Sequence, residues 1–319
     1  MGAAKMWMAL VVLDLLFSGA ADGQIKAQDD NVPHEIAFIS CPRDYNPVGD
    51  IYLYDLDHDS TRRLTDTPAH YSYLSWSPDG TQLLFASDET GEYMIYVMDV
   101  EDESIRPLIP GFFPTWSPDG TRIAYGVAIS GEHEQGIRFA LYVMNADTTD
   151  QRRITPDEFA STGSPAWSPD AQQIVFAARR GSDGYIDLYS LDLETETLTQ
   201  LTFTTPIIES RPTFAPDGEY FAFSSDDGAN MVIYKMRMDG SGLTLLTPIE
   251  NGVRKYNPAW SPDGSAIAYQ LQYAFNPQPG EHDGIYVMQA DGRDSRLIFE
   301  NGCAPAWRPV LATGTDAGA

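Results

Sequence analysis

Trp76-Ser77-Pro78-Asp79-Gly80 is followed by Trp116-Ser117-Pro118-Asp119-Gly120 and by Trp167-Ser168-Pro169-Asp170-Ala171. The string returns as Phe214-Ala215-Pro216-Asp217-Gly218, as Trp260-Ser261-Pro262-Asp263-Gly264, and in truncated form as Trp307-Arg308-Pro309. Its aromatic positions lie 40, 51, 47, 46 and 47 residues apart. A self-similar period in the forties marks a repeat architecture, whose units bury their apolar faces only against neighbours.

Each period carries the same pieces. The Ser-Pro-Asp-Gly string is a turn: proline presets φ, aspartate bonds nearby backbone, and glycine accepts positive φ. An apolar run follows, as in Leu83-Leu84-Phe85-Ala86 or Ile174-Val175-Phe176. Next comes an alternating strand with a tyrosine, such as Ile51-Tyr52-Leu53-Tyr54, Ile95-Tyr96-Val97-Met98 or Ile285-Tyr286-Val287-Met288. A last strand closes on Leu64-Thr65, Ile154-Thr155, Leu201-Thr202 or Leu246-Thr247. Short runs rich in β-branched and aromatic residues, punctuated by turn residues, read as strands. The 22 prolines and 26 glycines interrupt any helical periodicity after residue 24. The chain is therefore expected to be all-β, with four antiparallel strands per period forming one propeller blade.

Six tyrosine strands predict a six-bladed β-propeller. Ile36-Ala37-Phe38-Ile39 reads as a second strand without a first, and Pro305-Ala306-Trp307 as a first strand without a second. The C-terminal strand is thus expected to complete the first blade and close the ring, which removes exposed sheet edges. Aligning Trp307 with Trp76 places Cys303 at the position of Ser72. Aligning Phe38 with Phe85 places Cys41 at that of Asp88. Both positions flank one hairpin, so a Cys41–Cys303 disulfide is predicted across the closing strands.

These residues resemble the repeat of the TolB-like propellers, six-bladed relatives of WD-repeat proteins, over about residues 35 to 309. The resemblance implies the same fold and leaves Tol–Pal membership open. TolB carries an α/β domain ahead of its propeller, whereas only about ten residues separate the expected leader from the first strand here. Related propellers also gate prolyl-oligopeptidase-like peptidases, but the Gly-x-Ser-x-Gly elbow those enzymes need is missing from this sequence.

The ends of the chain read differently. Lys5, the apolar stretch Met6 to Phe17 and the small residues Ser18-Gly19-Ala20-Ala21 follow the order of a secretory signal, interrupted by Asp14. Residues 1–23 are assigned to a signal peptide, 24–34 to a linker, 35–309 to the propeller and 310–319 to a flexible tail. Export to the periplasm or beyond is expected, a compartment in which two cysteines can pair. No later stretch has the length of apolar sequence needed for a membrane span. The formal charge is −26, from 46 acidic and 20 basic residues, which argues against nucleic acid as a partner.

Function is sought in the loops, which carry recognition on rigid scaffolds. The aromatic-to-tyrosine distances are 20, 26, 22, 20 and 26 residues from the second period to the sixth, so the third and sixth carry insertions. These contain His133, Glu134, Tyr273, Phe275 and His282, and His70 is placed on the same face. Together they form the candidate partner-binding set. Metal ligation by the histidines with Glu132, Glu281 and Asp283 would require convergence across the ring, so no metal and no cofactor is expected. Asp55-Leu56-Asp57-His58-Asp59-Ser60 lacks the glycine and glutamate of an EF-hand loop and is read as a solvated hairpin end. No catalytic residue is assigned. The expected function is a non-enzymatic, monomeric scaffold that binds a protein or peptide. The alternative is a small-molecule or carbohydrate-related site at the channel mouth on the long-loop face. Thiol titration of the unfolded, unreduced protein is expected to find no reactive cysteine; two reactive thiols would refute the predicted pairing.

Overall fold

The computed structural model describes residues 34–41, 48–67, 69–129, 138–181, 185–204, 206–274, 278 and 280–309. The expected leader (1–23), most of the linker, the tail (310–319) and the site candidates His133, Glu134 and Phe275 lie outside the described residues. Among the described residues every regular element is a strand, and none is a helix long and apolar enough to cross a membrane.

Six strands end on the motif aromatics: Ala69–Trp76, Phe112–Trp116, Phe159–Trp167, Ile208–Phe214, Val253–Trp260 and Gly302–Trp307. Each begins an antiparallel meander. Ala69–Trp76 continues into Gln82–Ser87, Met94–Asp99 and Ile105–Pro110, and Phe159–Trp167 into Gln173–Arg180, Ile186–Asp192 and Leu198–Gln200. The last motif strand joins the beginning of the chain, in the order Gly302–Trp307, Glu35–Ser40, Ile51–Asp55 and Ser60–Arg63. Ile36 pairs with Trp307 and Ser40 with Gly302. A short strand, Val48–Gly49, also crosses to pair with Ala69–Trp76. Each motif strand packs against the next in chain order, and Gly302–Trp307 packs against both Val253–Trp260 and Ala69–Trp76.

The recurring residues have separate mechanical roles. Ser77 Oγ donates to Asp79 Oδ1 at 2.6 Å and accepts from the Gln82 N–H at 2.9 Å. The same two bonds recur at Ser117, Ser168 and Ser261. The Ser77 hydroxyl and the Thr81 donors hold the Asp79 carboxyl below its usual range, so the turn is fastened by a charged acceptor. Gly80 sits at φ +64°, and Ala171 takes the equivalent place at φ 57°, where a Cβ costs about 1–2 kcal/mol. In four meanders the closing threonine accepts the N–H of the residue before the strand tyrosine or its equivalent. Ile51, Leu141, Leu188 and Ile233 donate to Thr65, Thr155, Thr202 and Thr247, each at 2.9 Å.

The tryptophans join one meander to the one before it. Trp76 Nε1 donates to the Ala306 carbonyl at 3.1 Å, and Trp167 Nε1 to the Thr115 carbonyl at 3.3 Å. Apolar faces of neighbouring meanders interleave: one cluster holds Leu141 and Val143 with Trp167, Ile174 and Phe176. Arg308 replaces the serine of the truncated motif. Its Nε donates to the Gly80 carbonyl at 2.7 Å and its Nη1 to Glu35 Oε2 at 2.5 Å, tying the last strand to the first strand and to the next motif turn.

The predicted disulfide is present: Cys41 and Cys303 are bonded with their Cα atoms 5.9 Å apart. The bond spans 262 residues, and in the chain-entropy view such a loop contributes about 5 kcal/mol by restricting the unfolded chain. Trp167 is 5% exposed and packs across two meanders, so Trp167→Ala is expected to lower the unfolding free energy by about 3–5 kcal/mol, read from denaturant midpoints.

Candidate functional site

Three residues before each motif aromatic the backbone turns left-handed. The residues are Tyr73, Phe113, Ser164, Arg211, Asn257 and Ala304, with φ between 50° and 60°. The pairing register slips at each of these points, so every motif strand carries a bulge. In five of the six the next residue is proline (Pro114, Pro165, Pro212, Pro258, Pro305), which has no N–H to leave unpaired where the ladder is broken.

The six bulge residues line one cavity of about 610 Å³, together with the prolines and the motif aromatics. The wall is mostly apolar, and Arg211 is the only charged residue in it among the described residues. Arg211 Cζ lies 3.8 Å from the centre of the Tyr73 ring, within cation–π range. Tyr73 meets Phe113 edge-on at 4.6 Å, and Phe113 meets Phe139 at 5.1 Å. Gly126 makes room for this: a Cβ there would come within 2.7 Å of the Phe113 ring. Asn257 Nδ2 donates to Gln270 Oε1 at 2.9 Å. Among the described residues, Asn257 Oδ1 and the Nε1 atoms of Trp116, Trp260 and Trp307 are buried without a hydrogen-bond partner, and all four residues line the cavity. Burial pushes the nearby Tyr256 phenol up to about 12 against the pull of the Arg254 and Arg211 guanidinium groups, so it stays neutral and donates to Gln272 Oε1 at 3.0 Å.

The described members of the loop set lie elsewhere. His70 Nδ1 is 2.5 Å from Asp88 Oδ2, and the His70 N–H donates to Asp88 Oδ1 at 3.0 Å. His282 Nδ1 is 3.2 Å from Glu300 Oε1. The Tyr273 N–H donates to Asp283 Oδ1 at 2.7 Å. None of the three lines the cavity, and no group of three or more His, Cys, Asp or Glu among the described residues is placed to hold a metal ion. Asp55 Oδ1 accepts the N–H groups of Asp57 and His58, so this acidic stretch caps its own hairpin.

Two further buried charges fasten loops. Lys255 Nζ donates to the Pro248 carbonyl and to Glu250 Oε2, both at 2.7 Å. Glu209 accepts the hydroxyls of Thr202, at 2.7 Å, and Thr204. Burial pushes the Glu209 carboxyl up, and the adjacent Asp187 charge adds to this. A carboxyl whose folded-state pKa is raised destabilises the fold once ionised, so that contribution grows as pH rises through the shifted range. Glu209→Gln is expected to gain stability relative to the native chain on going from about pH 4 to about pH 7, measured by denaturant midpoints. A constant difference across that range would refute the assignment.

The family model described as TolB beta propeller domain matches residues 109–309. An uncharacterised protein of Agrobacterium fabrum is 27% identical over 259 residues, which cover 78% of this chain and 83% of that protein. The Tol-Pal system protein TolB of Francisella tularensis is 26% identical over 248 residues, 74% of this chain and 54% of that one. The chain thus spans little more than half the length of that relative. The crystal structure of TolB from Acinetobacter baumannii superposes with a TM-score of 0.70 at 21% identity, covering 86% of this chain and 67% of that one. The fold is that of a TolB-like propeller.

Proposed function

We propose that this chain, which belongs to the TolB beta-propeller domain family, is an exported, non-enzymatic and monomeric scaffold that binds a protein or peptide segment. The site we assign to that segment is the cavity between the motif strands. We read the architecture as six four-stranded blades closed into a ring by the C-terminal strand. The pairing of Gly302–Trp307 with Glu35–Ser40, and its packing against the motif strands on either side, support that reading. Export is supported by the leader-like order of the N-terminal residues and by the Cys41–Cys303 disulfide, a bond that persists in oxidising compartments.

The observation that carries the function is the composition of the cavity wall. Tryptophan, tyrosine and arginine are enriched at binding hot spots and phenylalanine at interfaces, and here all four converge on one concave space. Among the described residues the wall holds no carboxylate or imidazole, the groups most used for proton transfer, and we read it as a binding surface. The formal charge of −26 disfavours a nucleic-acid partner.

The test is capture of partners from an envelope extract on the immobilised full-length protein, with Ser164→Tyr as the control. Tyr73 already occupies the equivalent left-handed position, so the substituted chain is expected to fold while its cavity narrows. Proteins retained by the native chain and lost with Ser164→Tyr support the reading. Identical capture by both, or by neither, refutes it.

A further inference from the structure

Arg211 has no ion pair and no side-chain hydrogen bond among the described residues, although the chain carries 46 acidic residues. Other arginines illustrate the contrast: Arg62, Arg63, Arg180, Arg237 and Arg254 each pair with a carboxylate at 2.7–2.8 Å. Arg211 is half-buried, and the other described residues of its cavity wall are uncharged. A guanidinium so placed has lost part of its hydration without gaining an anionic partner, a cost that an incoming carboxylate would offset.

The geometry also presents the group for use. The stretch from Tyr73 to Trp76 and the one from Arg211 to Phe214 belong to motif strands separated by two others in the packing order, so the pair reaches across the cavity. At 3.8 Å from the ring centre, Arg211 Cζ lies over the Tyr73 ring, within cation–π range. No described residue accepts from its N–H donors, which leaves the planar fork available for two parallel bonds to a carboxylate. Phe113 holds Tyr73 from the side, and Phe139 holds Phe113, so the platform is braced before a ligand arrives.

We infer that Arg211, held over the Tyr73 ring, is the anchor for a carboxylate carried by the bound peptide, either an acidic side chain or a free C-terminus. This rests on the cavity being the binding site proposed above and adds the chemical class of what it recognises. The long-range field of so acidic a protein opposes approach of an anion, so discrimination comes from the local bidentate contact and not from steering.

The test uses the full-length protein with isotope-labelled arginine. The Nε–Hε resonance of Arg211 is identified by its loss in Arg211→Gln. Three N-acetylated tetrapeptides serve as probes: Gly-Trp-Glu-Gly amide, its Gly-Trp-Gln-Gly counterpart, and Gly-Trp-Gly-Gly with a free carboxylate. Methyl glucuronide is a fourth probe. The expected result is a saturable shift of the Arg211 resonance with at least one acidic peptide, with binding weaker by about tenfold or more for the glutamine peptide and for Arg211→Gln. Arg211→Lys should lose most of the affinity, because it keeps the charge but not the planar fork, whereas Tyr73→Phe should keep it. The two acidic peptides separate side-chain from terminal recognition.

Failure of both acidic peptides to bind more tightly than the glutamine peptide would overturn the inference, as would unchanged binding in Arg211→Gln. So would a loss of thermal stability in Arg211→Gln with no change in binding, which would make the pair a strut. Tighter binding of the glucuronide than of either acidic peptide would overturn the peptide source. Failure of the scaffold reading is distinguishable, because partner capture can fail while an acidic probe still shifts Arg211, and partners can be captured while the acidic and neutral peptides bind alike.

Discussion

Everything in this structure leans on the pairing of the last strand with the first. Glu35–Ser40 is a strongly buried second strand that lacks a motif strand before it in sequence, and Gly302–Trp307 is a motif strand with no meander after it. Alone, each would leave backbone donors and acceptors on an open edge. Joined, they bury Ile36, Phe38 and Trp307 in one cluster with Ala266, Ala268, Ile285 and Val287 of the preceding meander. The disulfide and Arg308 act on the same junction from its two ends: Cys303 binds Cys41 near one, and Arg308 grips Glu35 and the Gly80 turn at the other. A long-range contact of this kind is entropically costly to form, which explains why a covalent bond and a charged clamp converge on it.

The cavity is a consequence of a local defect repeated in every motif strand. A regular strand would run its ladder unbroken to the motif aromatic. Instead the left-handed residue breaks the register, and in most repeats a proline follows where no donor is needed. The side chains at the defect are then free to differ without disturbing the sheets. Tyr73, Phe113, Ser164, Arg211, Asn257 and Ala304 occupy equivalent backbone yet range from aromatic to cationic, polar and methyl side chains. A repeat that is uniform in its turns and its blade packing is thereby individual at its centre.

Legibility in the sequence followed the range of the interactions. The Ser-Pro-Asp-Gly turns, the strand classes and the hairpin end at Asp55 are local, and the residues disclose them directly. The Cys41–Cys303 bond was legible despite its span, because repeat alignment converts a distant pair into neighbours within one hairpin. The loop histidines were conspicuous as residue types, yet His70 and His282 each engage a nearby carboxylate and neither lines the cavity. Arg211 and Tyr73 drew no attention, since nothing in either neighbourhood refers to the other. Their shared position, three residues before a motif aromatic, was the available signal.

The amino-acid sequence by itself determined the all-β character, the repeat, the strand order within it and the identity of the paired cysteines. These follow from periodicity, turn propensities and alignment of one repeat on another, all of which are properties of short stretches. Only the tertiary structure decided where the chemistry gathers. Function was sought in the inserted loops, whereas the aromatics and prolines of the motif help to wall the cavity that holds Arg211. Convergence of six strands on a common space depends on how the sheets pack, and packing geometry is a property of the whole chain that no single repeat contains.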